Sequence, residues 1–243
     1  MNRKLAGFCV LACLLLATTS CQKLQARDNL VKGMKAFKEG KYDKAAALFD
    51  TAAKLDPDLT NAQLYLATAY AQQFTPDVPS EENHKYAMNA IQTFEKVLEK
   101  EPKNTNAIGG LAGLYQGLKE LNKSREYYKK QTEIEPDNAV PFYAVASTDW
   151  YMMRDRSHPV TDEEKATLVA EGMEYVEKAL EKNPQYQEAM AYKNLLLRDK
   201  AALTKDPAEA KRLLDEANVW FDKALAQLKI NAEKKATTVA APQ

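Results

Sequence analysis

Residues 33–57 read GMKAFKEGKYDKAAALFDTAAKLDP. Small and apolar residues recur every three or four positions on both sides of Glu39-Gly40-Lys41, the spacing of helices that each bury one face. The stretch therefore predicts two short amphipathic helices joined by a tight turn at that tripeptide. Pro57 sits past the end of the second, where its missing N–H and fixed φ stop the helix from continuing.

Counting back from later prolines finds the same unit again. Ala45 and Phe49 lie twelve and eight residues before Pro57. Ala90 and Phe94 hold those offsets before Pro102, Ser124 and Tyr128 before Pro136, and Gly172 and Val176 before Pro184. Counting forward, Ala67, Ala112 and Ala146 each lie ten residues after a proline. Tyr70 and Tyr115 lie thirteen after one. Small residues recur where two helices must touch, and large apolar ones where a gap must be filled.

The residues that carry this frame resemble the tetratricopeptide repeat family, whose unit is a helix–turn–helix of about 34 residues. They are Gly33, Ala45, Phe49, Ala52 and Pro57 in the first unit, and Leu66, Ala67, Tyr70, Ala90, Phe94 and Pro102 in the second. Leu111, Ala112, Tyr115, Tyr128 and Pro136 carry the third. In the fourth, Val145, Ala146, Ala179 and Pro184 fit, but Asp149 stands where the family usually has Tyr. A fifth, degenerate unit uses Ala217, Phe221 and Ala224. The family's opening Trp is absent from every unit. The resemblance covers roughly residues 26 to 230. It implies an all-α, right-handed α-α superhelix of about five helix pairs, whose first helices line a concave, peptide-binding groove. In that frame the groove residues are Asn61, Leu64, Asn106, Gln116, Tyr143, Trp150 and Tyr151. The run Asp149-Trp150-Tyr151-Met152-Met153 is expected to split between core and groove. A carboxylate clamp for chaperone tails is excluded, because Leu30, Met34, Tyr65 and Gly110 occupy most of the places where it needs Lys, Arg and Asn.

Composition agrees. The chain has 34 basic and 34 acidic residues and 45% hydrophobic content, which excludes a disordered chain and a strongly basic nucleic-acid binder. Abundant Ala, Lys, Glu and Leu beside only 8 Gly favour helix. At the N-terminus Arg3 and Lys4 precede an apolar run from Leu5 to Ala17, too short for a comfortable membrane span. Thr18-Thr19-Ser20-Cys21 then resembles a bacterial lipobox, with Cys21 as the acylated first mature residue. This predicts a signal peptide over 1–20, a lipidated tether over 21–28, a repeat domain over 29–231 and a disordered tail over 232–243. The resemblance also implies a cell-envelope lipoprotein facing the periplasm. Gln22, rather than Asp, favours the outer membrane over the inner.

Between the paired helices two units carry extra length. Tyr70 to Ala90 spans twenty residues and Asp149 to Gly172 twenty-three, where other units span nine. Longer helices absorb part of the excess, but Pro76, Pro79 and Pro159 require loops near Phe74–Ser80 and Asp155–Thr161. His84 and His158 fall in or beside these insertions. Neither has a second ligand at metal spacing, and no phosphate loop or nucleophile motif is present. The expectation is therefore a non-catalytic scaffold for a protein or peptide, with no cofactor, metal or nucleic acid. A subunit of an outer-membrane or pilus assembly machinery is the alternative. From another class, the alternative is a metal carrier or enzyme using the loops around His84 and His158.

Overall fold

The computed structural model describes residues 21–239; the expected signal peptide and the last four residues lie outside them. Among the described residues there are ten helices and no strand. They fall into two compact units, one up to Leu118 and one from Lys119.

The first unit holds α1 (21–38), α2 (Tyr42–Leu55), α3 (Thr60–Ala71), α4 (Glu81–Lys100) and α5 (Thr105–Gly117). Its opening turn is where the sequence places it. Gly40 takes φ 72°, the left-handed conformation that ends a helix, and the Lys41 N–H closes on the Ala36 carbonyl at 2.9 Å. Phe49 fills the space above Gly33 so closely that a Cβ on Gly33 would sit 2.5 Å from its ring. Around them Ala36, Ala45, Ala46, Leu66 and Ala69 complete a core. The repeat frame is thus a frame of burial: Ala45, Phe49, Ala67, Ala90 and Ala112 are all fully enclosed.

The second unit holds α6 (Leu121–Ile134), α7 (Ala139–Met152), α8 (Asp162–Lys182), α9 (Gln187–Leu203) and α10 (Pro207–Val239). Phe142, Ala146, Val176, Ala179, Ala189 and Leu196 form its main core. Leu197, Ala201, Leu213 and Ala217 continue it between α9 and α10. The capping box at Thr161 and Glu164 closes both ways. The Glu164 N–H donates to Thr161 Oγ1 at 3.2 Å, and the Thr161 N–H donates to Glu164 Oε2 at 2.7 Å.

The insertions divide as expected. α4 and α8 run to 20 and 21 residues, against 12 to 14 for α2, α3, α5, α6 and α7. The remaining excess forms the loops 72–80 and 153–161. The first loop is tied to its helix by one side chain. Asn83 Oδ1 accepts from the Thr75 N–H at 2.7 Å, and Nδ2 donates to the Thr75 and Val78 carbonyls at 2.8 and 2.9 Å. Asn83→Ala removes all three of these hydrogen bonds between the loop and α4, so we expect about 1–3 kcal/mol lost in chemical denaturation. Native-state proteolysis should then cut first within 72–80.

Both chain ends depart from the expectation. Residues 21–28, read as a tether, are helical and continuous with α1, and Ala26 is fully buried. The reason is local: GlnLysLeuGlnAlaArg contains no helix breaker and supplies strong helix formers. The segment 232–239, read as tail, extends α10 instead. Its alanines and lysines carry helix propensity even where no apolar face is buried.

Candidate binding face

In each unit the helices that open successive pairs supply a candidate face of that unit's own. In the first unit α3 and α5 pack side by side and present Asn61 and Asn106, both exposed. Neither serves as a helix cap. Asn104 does that for α5, accepting from the Ala107 N–H at 3.0 Å. Gln116 is half-buried on the same helix. Leu64 is a correction: it is 8% exposed and belongs to the core, not to a groove. α3 reads TNAQLYLATAYA, apolar or small nearly all round, and such a helix buries more than one face. Gly110 serves close packing, with the Phe94 ring where its Cβ would stand, whereas nothing lies within 4 Å of a Cβ on Gly113.

In the second unit α7 and α9 meet across an aromatic cluster. The Tyr143 ring lies 5.1 Å from Tyr186 and 5.4 Å from Tyr192. Trp150 stands edge-on to Tyr151 at 5.4 Å and to Tyr192 at 5.6 Å. These are separations at which aromatic pairs attract beyond the area they bury. Arg154 lies 3.8 Å over the Trp150 ring and its Nη2 donates to both Asp199 carboxylate oxygens at 2.8 and 3.0 Å. Tyr151 is 42% exposed, while Tyr143 and Trp150 are half-buried. The run 149–153 therefore splits between core and surface. Asp149 goes fully inside, Trp150 has one foot in the core, and Tyr151 faces out.

Electrostatically the cluster is neutral. Burial pushes the Tyr186 phenol up to about 12, and raises Tyr143 and Tyr192 as well. All three remain protonated at neutral pH and offer O–H groups rather than charge. The Trp150 Nε1–H is buried and has no acceptor, which leaves a donor that a bound carbonyl would satisfy.

Tyr186 and Tyr192 did not appear in the sequence reading. They sit in the fifth unit, where the repeat frame is weakest. Also unexpected is a charged knot below the face. Arg125 and Lys129 of α6 meet Asp149 of α7 and Glu171 of α8. Arg125 Nε donates to Asp149 Oδ1, Arg125 Nη2 and Lys129 Nζ donate to Glu171, and Asp149 Oδ2 is buried without a partner. Burial raises the Asp149 carboxyl to about 6 against the lowering pull of Arg125. Glu171 is less enclosed, and its bonds from Lys129 and Arg125 outweigh burial to lower its pKa.

Of the remaining candidates, Cys21 is exposed on α1 and is the one free cysteine among the described residues. His84 is exposed on α4. His158 lies in the second insertion, its Nδ1 2.9 Å from Asp155 Oδ2. Among the described residues no group of three or more His, Cys, Asp or Glu converges on a metal position. No described helix is long and apolar enough to cross a membrane.

Comparison with known proteins now fits this geometry. Residues 87–146 match the family model of the tetratricopeptide repeat. That stretch of the chain is similar to the tetratricopeptide repeat. The fold of the chain is similar to that of MamA in a crystal structure with TM-score 0.61 and 19% identity, covering 83% of this chain and 96% of that one. It is also similar to residues 41 to the end of MamA from Desulfovibrio magneticus RS-1, with TM-score 0.61 and 15% identity, covering 84% of this chain and 96% of that one. At such identities the likeness concerns fold alone. No curated protein matches the sequence.

Proposed function

We propose that the chain is a non-catalytic scaffold that binds a protein or peptide on the face formed by first helices, held at a bacterial outer membrane by acylation of Cys21. The aromatic cluster of α7 and α9 carries this reading. Five aromatic rings meet there, one of them presents a large exposed surface, and a buried indole N–H has no acceptor. Rigid amphipathic rings of this kind dominate binding energies elsewhere, and a repeat stack offers such a face as its working surface. Phenols that stay neutral suit an extended segment whose backbone supplies carbonyls and N–H groups. Asn61 and Asn106 add the same bonding capacity in the first unit. Anchoring rests on the charged-then-apolar leader that ends at Cys21, and on a thiol left exposed on α1.

The test is affinity capture from solubilised envelope with the lipidated chain, against Tyr151→Ala, Trp150→Ala and Asn106→Ala. A partner lost from the Tyr151 and Trp150 variants, with helical circular dichroism unchanged, supports the aromatic face. Tyr151→Ala is the cleaner variant, because its side chain contributes least to the core. We expect a loss of at least tenfold in affinity, as for an anchor residue at a binding hot spot. A partner retained by every variant would remove function from this face. Replacing Cys21 by Ser should release the chain from the membrane fraction; continued membrane association would sink the anchor.

A further inference from the structure

α10 carries a second apolar surface that its packing leaves uncovered. Leu213, Ala217, Ala224 and Gln227 are its buried positions. Leu214, Phe221, Leu225 and Leu228 are large, and lie between 39% and 50% exposed. At about 100° per residue these four fall within about 60° of one another, roughly a quarter turn from the buried side. A helix that ended a stack of repeats in water would be polar here.

We propose that this stripe binds a second copy of the chain, with the two α10 helices crossing antiparallel about a twofold axis near Asp222. The argument is one of self-complementarity. Along one edge of the stripe lie Lys211, Asp215, Asp222, Lys229 and Glu233. In a twofold antiparallel pair each edge faces itself. Centring the pair on Asp222 sets Lys211 opposite Glu233 of the second copy and Asp215 opposite Lys229, each contact occurring twice. The same register places Leu225 and Leu228 of one helix between the levels of Leu214 and Phe221 of the other, as knobs-into-holes packing requires. Within one copy Lys211 reaches Asp215 at 3.2 Å, but both side chains are exposed and such a pair is worth little. The register leaves one conflict, Asp222 against its own copy at the axis. The stripe is about 21 Å long, a modest contact that fits a dimer forming at micromolar concentration.

Sedimentation velocity of the purified full chain over about a hundredfold range of concentration tests this. The expected result is a monomer–dimer equilibrium that stops at two. Leu228→Glu should weaken it at least tenfold, and Asp222→Asn should strengthen it. Asp215→Lys and Lys229→Glu should each weaken it, and the two together should restore it. A chain monomeric throughout overturns the proposal, and so does a double variant no better than its singles. Growth beyond two would instead indicate head-to-tail contact, with the exposed Leu24 and Val31 of α1 as the other surface. Binding to anionic vesicles that is indifferent to the charge exchange would assign the stripe to a membrane, and would equally overturn it.

Discussion

Replacing Arg125 with alanine is expected to lower the unfolding free energy by about 3–5 kcal/mol at neutral pH, the cost of leaving a buried charge without its partner. Asp149 is fully enclosed, and Arg125 is its ionic partner. Taking both charges away should restore much of the loss, because an apolar pair in the same volume avoids the desolvation of two ions. Arg125→Met with Asp149→Leu should therefore be more stable than Arg125→Ala alone. The knot also makes stability depend on pH, with a definite sign. The Asp149 carboxyl titrates at about 6 in the folded chain and near 3.9 in an unfolded one. A folded pKa raised in this way gives stability that is complete below the unfolded value and is lost as pH rises through the folded one. Between about pH 4 and 7 Asp149 should thus remove on the order of 2 kcal/mol. Glu171 acts oppositely but lower. Its lowered pKa gives stability that is present above the ordinary carboxylate range and lost on acidification below it. Asp149→Asn should flatten the profile from pH 5 to 7 while keeping an acceptor for Arg125. Urea unfolding at half-unit pH steps would show this, and an unchanged slope in Asp149→Asn would rule Asp149 out as its source.

That knot marks how far the sequence can be read. Asp149 stood out as a departure from the repeat pattern, but its partners are 24 and 22 residues away on other helices. No local period connects Arg125 or Glu171 to it. Helix ends were more legible, because they are written in adjacent residues. Ser80 and Thr161 cap α4 and α8 through their own side chains, and prolines close the units. The choice between core and binding face was the least legible feature. α3 and α7 are apolar or small almost throughout, so no amphipathic stripe tells which side faces out. Hence Leu64, which the family frame puts in the groove, is in the core, whereas Tyr143 is half-buried and Tyr151 exposed. Tyr192 escaped because the fifth unit keeps too few frame residues to set its register.

Exchanging sizes across the α4–α5 contact should give the second large effect. Gly110 and Phe94 form a lock: a Cβ on Gly110 would stand 2.4 Å from the Phe94 ring. Phe94 is itself buried, so the ring has nowhere to retreat. Two effects compete when Gly110 is replaced by Ala. Helix propensity favours alanine by about 1 kcal/mol. Overpacking a closed site costs about 1–3 kcal/mol, and a contact inside van der Waals distance puts the cost toward the upper end. We therefore expect net destabilisation, increasing from Gly110→Ala to Gly110→Leu. Phe94→Ala should cost about 3–5 kcal/mol through the cavity that it leaves. The decisive variant joins the two. Gly110→Leu with Phe94→Ala puts volume back where the ring was removed, and should be more stable than either single change by a coupling of about 1–3 kcal/mol. Thermal unfolding of the four proteins measures that coupling directly. Additive losses would show that Gly110 is required for some reason other than the ring above it.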